Sequence, residues 1–306
     1  MSQAKGALKW QDVHGILLFD KPSGMSSNLA LQKVRRILNA KKAGHTGSLD
    51  PMATGLLPCC FGDATKVAGL MLNADKTYIA QCLIGQQTDT GDATGELVST
   101  STKKQLTETE ILTAIEKLTG KIKQIPPMYS ALHHNGQRLY KLARAGIEVE
   151  RKARDITIHS FKLLSNDCSD GKQLLSFEIK VSKGTYIRTL IEDFAKACQS
   201  CAHLTRLRRT ELGILKGQMI TLSELTDAES PHTYLQNMDL ALSEYKAIEL
   251  DAKQVQTLIH GLRLKLNLPA KTYRLYDQKQ KFLGMGISQT DGQFKVKNLF
   301  LKSYLS

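Results

Sequence analysis

Several stretches of the chain alternate apolar and less apolar residues, a period of two that is typical of β-strands with one buried face. Residues 76–84 show this alternation most clearly, and residues 177–181 repeat it. Residues 15–24, GILLFDKPSG, form an apolar run that stops at a proline and a glycine, as a strand entering a turn does. These patterns predict strands that contribute to a common core.

Other stretches place apolar residues three and four positions apart, which predicts amphipathic helices. One such stretch follows Ser26 and Ser27, either of which is suited to cap the helix N-terminus. Residues 107–123 carry a capping-box pattern at their first turn and have Gly120 as a stop signal. A third helix is predicted for residues 187–198, directly after a strand.

These elements favour an α+β fold in which strands outnumber long helices. We expect residues 1–247 to form one domain around a mixed, largely antiparallel sheet. Residues 124–154 are polar and aromatic, and they are predicted to form a partly helical, protruding insertion; an ordinary solvated loop and helix is the alternative. Residues 248–306 alternate and turn often, which predicts a small C-terminal β-barrel.

Composition adds a class of partner to this picture. The 306 residues carry a formal net charge of +13 and have a pI of about 9.4. A soluble protein this basic commonly binds a polyanion, with ordinary basic solubility as the alternative. The charge is densest in residues 248–306, which hold ten Lys or Arg and four Asp or Glu. This region is therefore the predicted polyanion surface.

Several absent signals narrow the function further. No apolar run approaches the roughly 18 residues of a membrane span, and no signal peptide is visible. We therefore expect a cytoplasmic protein without membrane contact. The sequence also lacks the phosphate-binding loop, the complete dinucleotide fingerprint and the HExxH pattern. We accordingly expect no nucleotide or nicotinamide cofactor.

The six cysteines are not expected to form disulfides in a cytoplasmic chain of this length. Cys198 and Cys201 form one CxxC pattern with His203 close by, but a zinc site needs a second ligand pair. No second CxxC is present. We therefore expect no metal and interpret the cysteines as small buried residues.

The stretch AGHTGSLDPMATGLLP, residues 43–58, contains Asp50 as its only carboxylate. An aspartate before proline is a frequent helix start, in which the carboxylate caps the helix. Against this interpretation, Gly55 and Pro58 leave little room for a helix, and Pro51 favours an extended backbone at Asp50. The second interpretation is a reactive carboxylate that needs a cation nearby to stay ionised.

Arg188 is a candidate for that cation because it falls in the first turn of the helix predicted for residues 187–198. The positive end of a helix dipole disfavours a cation by about 0.3–1 kcal/mol. An arginine at this position therefore indicates an anion nearby. Asp50, a phosphate and a plain structural partner all meet this condition, and spacing alone does not choose among them.

The residues around Asp50 also carry a family resemblance. GHTGSLDPMATG is similar to the signature of the bacterial tRNA pseudouridine-55 synthases, the TruB family. Ser48 stands where that family has alanine or threonine. Residues 248–306 resemble the family's PUA-like RNA-binding domain more loosely. Further segments between about residues 15 and 225 resemble the family in the same order, namely GILLFDKPSGMSS, DKTYIAQCLIGQQTDTGDATGE, QIPPMYSALHHNGQRLYKLARAGIEVER, SKGTYIRTLIEDFA and HLTRLRRTELG.

The resemblance implies a pseudouridine synthase fold and a cofactor-free reaction. A uridine in the tRNA T-loop is flipped into a pocket and isomerised to pseudouridine. By this resemblance Asp50 is the nucleophile, Arg188 is the arginine that pairs with it, and Tyr78 is the aromatic residue that stacks on the uracil. Whether Asp50 attacks the sugar or the base, or removes a sugar proton, is left open by the sequence.

The resemblance assigns four further positions. Tyr186 and Leu207 match residues that line the base pocket, Asp92 matches a second acid beside the arginine, and His45 matches a residue that helps hold the flipped RNA. Each has an ordinary alternative, since Leu207 fits a core, Asp92 a turn and His45 a loop; Tyr78 likewise fits a packed strand. Lys21 and Pro22 match a motif that we interpret as structural support near the site.

The resemblance also implies partners. Residues 124–154 correspond to a flexible thumb that closes on the T-arm of tRNA, and the basic tail is expected to grip the acceptor stem through phosphates. We expect a monomer with no obligatory protein partner. Two alternatives remain: a synthase subunit that works with a guide RNA, and a tRNA-binding or tRNA-folding factor without catalysis.

Overall fold

The computed structural model describes residues 10–305. The strands are β1 (Gly15–Lys21), β2 (Ala43–His45), β3 (Thr54–Phe61), β4 (Lys76–Ile84), β5 (Gln86–Thr88), β6 (Leu97–Thr100), β7 (Gly120–Gln124), β8 (His133–His134), β9 (Gln137–Arg138), β10 (Arg154–Ser169), β11 (Lys172–Val181), β12 (Ala202–Leu212), β13 (Lys246–Leu250), β14 (Leu264–Lys265), β15 (Thr272–Asp277), β16 (Phe282–Ser288) and β17 (Gln293–Leu299). The helices are α1 (Ser27–Ile37), α2 (Ala68–Met71), α3 (Glu108–Leu118), α4 (Leu139–Arg144), α5 (Ile187–Ala197), α6 (Leu222–Asp227), α7 (Ala252–Ile259) and α8 (Leu301–Leu305), with 3-10 turns at Gly62–Lys66, Pro231–Tyr234 and Met238–Leu242.

An eight-stranded sheet contains the strands in the order β1-β3-β12-β4-β11-β10-β7, with β2 paired to β3. Its ladders are antiparallel except for the short parallel pairing of β12 with β3 at Thr54 and Gly55. β2 joins the same strand further along, at Cys59–Phe61. The predicted α+β class with a mixed, largely antiparallel sheet is confirmed.

The main core lies on one face of this sheet. The alternating residues of β4, from Tyr78 onward, point into it together with apolar side chains of α1, α3 and α5. Three aromatic rings at its centre, Phe161, Phe177 and Phe194, stand 5.0–5.9 Å apart in edge-on or tilted contacts. Such contacts stabilise a core beyond the burial of apolar area alone.

One predicted helix is shorter than expected. The capping box of Thr107 and Glu110 is present, but the helix ends at Leu118 instead of continuing to residue 123. Thr119 is extended and Gly120 has a φ of +99°, a conformation that favours glycine. The chain then continues as strand β7, which pairs with β10 at the edge of the sheet.

The C-terminal part forms a curled, half-barrel sheet in the order β13-β15-β16-β17-β14. Two of its apolar residues, Met285 and Phe300, are fully buried in a second core that also contains Ile16 and Leu18 of β1. Lys66 adds a hydrogen bond to the Leu299 carbonyl at 2.8 Å across the same boundary. The two parts therefore share a continuous apolar interior, while the domain boundary after residue 247 stays a prediction.

Residues 124–154 run from the last residue of β7 to the first residue of β10, as an insertion at the sheet edge does. They contain the short hairpin of β8 and β9 and the six-residue helix α4. From residue 125 to 154 only Pro126, Ser130 and Leu139 are buried. We refer to residues 124–154 as the thumb from here on.

Within residues 10–305, no helix is long and apolar enough to cross a membrane. The same part of the chain contains no group of three or more His, Cys, Asp or Glu residues placed to hold a metal ion. All six cysteines are free thiols, and Cys198 caps the C-terminus of α5.

Candidate active site

Asp50 and Arg188 are in direct contact despite their distance along the chain. Arg188 Nε donates to Asp50 Oδ2 at 2.9 Å. The arginine side chain is 6 % exposed and the aspartate side chain 41 %, so the cation is buried behind a carboxylate that still faces open space. Among the hydrogen bonds of residues 10–305, none joins this carboxylate to a backbone N–H, and the strand β3 follows where a capped helix would begin.

The last residue of β1, Lys21, connects the loop that carries Asp50 to the turn that follows β1. The buried Lys21 ammonium donates to the carbonyls of Pro22 and Met25 at 2.8 Å and of Pro51 at 3.3 Å. Burial lowers the pKa of Lys21 to about 8, and the negative charge of Asp50 opposes this shift. The ammonium therefore lies close enough to Asp50 for the two charges to interact.

Ser27 fixes the residue next to Asp50. Its buried Oγ accepts a hydrogen bond from Leu49 N at 2.7 Å and donates to Leu49 O at 3.0 Å. Ser26, not Ser27, caps α1 through a hydrogen bond from Leu29 N. The sequence had offered both serines as caps, so the structure separates a capping residue from one that holds the loop.

Five of the predicted residues border one cavity of about 120 Å³. Asp50, Arg188, Tyr78, Tyr186 and Leu207 all line it, along with Ser48. Pockets for drug-sized ligands start at about 300 Å³, so the enclosed part of this space is of the size of a single ring.

The aromatic and apolar walls come from neighbouring strands and a helix start. Tyr78 lies on β4 and Leu207 on the adjacent β12, and both are nearly buried. Tyr186 precedes the first residue of α5, where burial raises the pKa of its phenol. The side-chain amide of Gln124 brackets its backbone, because it accepts from Tyr186 N at 2.8 Å and donates to Tyr186 O at 3.1 Å.

Asp92 lies behind Arg188, outside the cavity wall. Its Oδ1 accepts from Thr90 Oγ1 and from the backbone and hydroxyl of Thr94, at 2.6–2.9 Å. Its Oδ2 is 3.9 Å from Arg188 Nε. Asp92 therefore organises a turn and also adds a second negative charge near the arginine, so both sequence interpretations describe part of its role.

His45 is on β2, also outside the residues that line the cavity. Its Nδ1 is buried and has no hydrogen-bond partner within the part of the chain that the structure describes. Burial and the positive charge of Arg209 lower the pKa of His45. The imidazole is thus disposed to stay neutral.

Arg188 also contacts the thumb. Its Nη2 donates to the Tyr129 carbonyl at 2.7 Å, and its Nη1 donates to the Thr90 carbonyl at 2.8 Å. All three nitrogens of the guanidinium are therefore engaged, each by a different segment. This arrangement uses the planar fork of arginine, which an ammonium group does not offer.

The sequence did not single out Gln124 or Arg209 as parts of this site. Gln124 was only the first residue of the predicted insertion, and Arg209 lies in HLTRLRRTELG, a segment that was noted only for its resemblance to the family. A polar residue at an inward position of a strand is the only signal that distinguishes them, and register must be known before that signal has meaning.

Three protein-family models match successive parts of the chain. The model described as TruB family pseudouridylate synthase, N-terminal domain, matches residues 35–187. Two C-terminal models follow: tRNA pseudouridylate synthase B C-terminal domain at residues 188–243, and pseudouridine synthase II TruB, C-terminal, at residues 247–300. Together they follow the chain in the order that its motifs predicted.

Curated relatives and a solved structure are consistent with these family matches. The chain is 46 % identical to tRNA pseudouridine synthase B of Hydrogenovibrio crunogenus over 95 % of each protein, and 45 % identical to that of Nitrosococcus oceani over 94 % of this chain and 95 % of the relative. The crystal structure of a Cbf5-Nop10-Gar1 complex has a similar fold, with a TM-score of 0.70, 23 % identity, and coverage of 96 % of this chain and 85 % of that one. The sequence resemblance is confirmed: the chain belongs to the TruB family of pseudouridylate synthases.

Proposed function

We propose that the protein isomerises uridine 55 in the T-loop of tRNA to pseudouridine, with Asp50 as the nucleophile. The observation that carries this proposal is the contact of Asp50 with the buried Arg188 at the edge of a ring-sized cavity. The curated relatives, which share about 45 % of residues over nearly the whole length, are named as enzymes that act on tRNA.

The reaction rearranges bonds within one nucleotide. The N-glycosidic bond from the ribose to N1 of uracil breaks, the base turns, and a bond to C5 forms while the C5 hydrogen is released to solvent and N1 gains a proton. Nothing is oxidised and no atom is added, so an acid-base and nucleophilic site is sufficient. A carboxylate is suited to such chemistry at a sugar, where it meets developing positive charge or forms a covalent adduct.

The cavity has the surfaces that a flipped pyrimidine requires. Tyr78 offers a ring on which the base stacks, and Leu207 and Tyr186 border the same space. Extracting a base from a folded loop costs a few kcal/mol, and stacking on an aromatic side chain returns about 1–3 kcal/mol. Asp92 supports Arg188 from behind, and His45 lies on β2, which leads directly into the Asp50 loop.

We assign the RNA grip to the thumb and the C-terminal half-barrel. The thumb contributes exposed bases beside the site, and residues 248–306 carry the denser positive charge. Phosphate contacts of this kind make binding strongly dependent on salt. The T-arm would meet the thumb, and the acceptor stem the half-barrel.

We propose a stand-alone, monomeric and cytoplasmic enzyme. The similar solved chains lie in complexes named for Cbf5 and its protein partners, but they share only about 22–23 % of residues with this chain. The relatives with 45 % identity carry the name of a tRNA enzyme. The guide-RNA alternative therefore has less support.

The test replaces the reacting oxygen. Asp50→Asn should abolish pseudouridine formation on an unmodified tRNA transcript, as measured by tritium release from uridine labelled at C5. Its affinity for tRNA should stay within a few fold of the parent, because the phosphate contacts lie elsewhere. Asp75→Asn is the matched control, since Asp75 is partly exposed and pairs with His159.

Full activity of the Asp50→Asn protein would show that another group is the nucleophile. A parent protein that binds tRNA but releases no tritium would instead support the non-enzymatic tRNA-binding factor. A modification map of the product tRNA would show which uridine has reacted.

A further inference from the structure

We propose that Arg209 is a positioning residue for catalysis, because it ties both ends of the loop that carries Asp50 to the strand beside Tyr78. This inference rests on the proposed function. Arg209 does not line the cavity, and its side chain is too deeply buried to contact RNA. Four observations support it, one from the sheet, one from the loop, one from the backbone and one from the charge.

The sheet has a gap that Arg209 fills. β12 pairs with β3 only at Thr54 and Gly55, and β2 pairs with it only from Cys59 onward. Between these two pairings, on the edge of β3 that faces away from β1, no strand pairs with Leu56, so its carbonyl has no strand partner there. Arg209 Nε donates to that carbonyl at 2.8 Å, so a side chain takes the place of a strand.

The same guanidinium reaches the start of the loop. Arg209 Nη2 donates to the Gly47 carbonyl at 3.0 Å. Gly47 precedes Asp50 and Leu56 follows it, so one rigid, planar group sets the separation of the two loop ends. Because the fork of donors in arginine is fixed, it constrains distance and direction together.

The backbone of Arg209 adds a third constraint. In the ladders Arg209 is opposite Tyr78 on one side and Gly55 on the other. A Cβ on Gly55 would lie 2.2 Å from the Arg209 carbonyl, so only glycine permits this approach. The residue thus connects the proposed stacking ring with the loop of the proposed nucleophile.

A contribution to stability alone does not explain why a charged residue occupies position 209. The side chain is the largest fully buried one in the described chain, at 1 % exposure. Within residues 10–305 it forms no ion pair with a carboxylate, and its guanidinium donates to the carbonyls of Leu56 and Gly47. An isolated buried charge is costly, and apolar residues of similar volume often stabilise a fold better. We infer that the arginine offsets this cost by fixing the position of the loop.

The experiment compares Arg209→Met and Arg209→Lys with a neighbour on the same strand. Arg208→Met is the matched control, since Arg208 is partly exposed and pairs with Asp20 through two hydrogen bonds. For each protein we would measure the single-turnover rate at saturating enzyme, the tRNA dissociation constant, the thermal midpoint, and amide exchange of residues 44–57.

A displacement of about 1 Å at a reacting group costs about 100-fold in rate. Arg209→Met should therefore slow the single-turnover step by about 100-fold, with little change in tRNA affinity and with faster exchange in the loop. Arg209→Lys should recover part of the rate. Arg208→Met should lower the thermal midpoint and leave the rate close to that of the parent.

Parent-like turnover of folded Arg209→Met overturns the inference, as does equal slowing of Arg208→Met. If Arg209→Met does not fold, Arg209→Lys decides: unchanged rate and unchanged loop exchange overturn the inference, and a slower rate with faster loop exchange supports it. If the parent itself forms no pseudouridine, the proposed function fails. In that case the amide exchange of residues 44–57 in the parent and the Arg209 variants still shows whether Arg209 holds the loop in place.

Discussion

The loop around Asp50 and the thumb both reach Arg188, but they are built in opposite ways. The loop meets Nε through a carboxylate, and its neighbours Thr46, Leu49 and Ala53 are buried. The thumb meets Nη2 through the Tyr129 carbonyl and is mostly exposed beyond its root. A largely buried loop and a largely exposed segment therefore meet at one buried guanidinium.

The comparison also gives Arg188 a particular place. Its guanidinium donates to the loop, to the Thr90 turn and to the thumb. A change at Arg188 should therefore affect both regions, while a change within either region should leave a distinct signature. The predictions below use that difference.

Arg188→Met should have the largest effect. Loss of one preorganised electrostatic contact at a reacting group typically costs about 100- to 1,000-fold in rate, and this variant loses the charge and all three contacts. Single-turnover tritium release measures the effect, with circular dichroism to verify folding. A folded variant with an unchanged rate would show that Arg188 is only structural.

Replacement of three exposed thumb bases should have a smaller and different effect. With Arg138, Lys141 and Arg144 changed to Gln, tRNA affinity should fall and the slope of log affinity against log salt should decrease by about 0.7–0.9 per lost phosphate contact. The single-turnover rate at saturating enzyme should barely change. Filter binding at several salt concentrations measures the slope.

Lys162, Lys172 and Lys180 changed to Gln provide the control, with the same change in charge on the outer hairpin of β10 and β11. If the thumb variant slows the single-turnover rate as severely as Arg188→Met does, the thumb contributes to the chemical step and not only to tRNA binding. Equal loss of affinity in the control would assign the effect to net charge.

His45 offers the smallest effect, on the stability of the loop region. Burial and the charge of Arg209 lower its pKa in the folded protein from about 6.5. As pH falls through that value, the unfolded chain binds a proton before the folded chain does, so the free energy of unfolding decreases.

Urea unfolding of the parent and of His45→Gln at pH 7, 6 and 5 measures this difference. The variant should lose less stability on acidification than the parent. Parallel pH dependence in the two proteins would show that His45 titrates as it does in water.

Local patterns predicted much of the fold. The alternation in β4, the capping box before α3 and the position of Arg188 in the first turn of α5 were all present in the sequence. These features depend on neighbours within a few residues. The end of α3 was wrong because the turn at Gly120 begins a strand whose pairing partner lies about 35 residues further along the chain.

Contacts between distant positions were less accessible. Helix-dipole reasoning indicated an anion near Arg188 but did not choose Asp50, and the family resemblance supplied that pairing. The roles of Ser27 and Arg209 depend on which strands are neighbours and in what register. Hydrophobic periodicity does not contain that information.

The apolar interior shared by β1 and the C-terminal half-barrel has a consequence for synthesis on the ribosome. Leu18 and Phe300 are packed in one cluster but are separated by about 280 residues of chain. At about 5–20 residues per second, the first strand waits on the order of tens of seconds before its last covering side chain exists. During that interval part of the apolar surface of this cluster stays uncovered, and exposed apolar surface of this kind is what makes folding intermediates prone to aggregate.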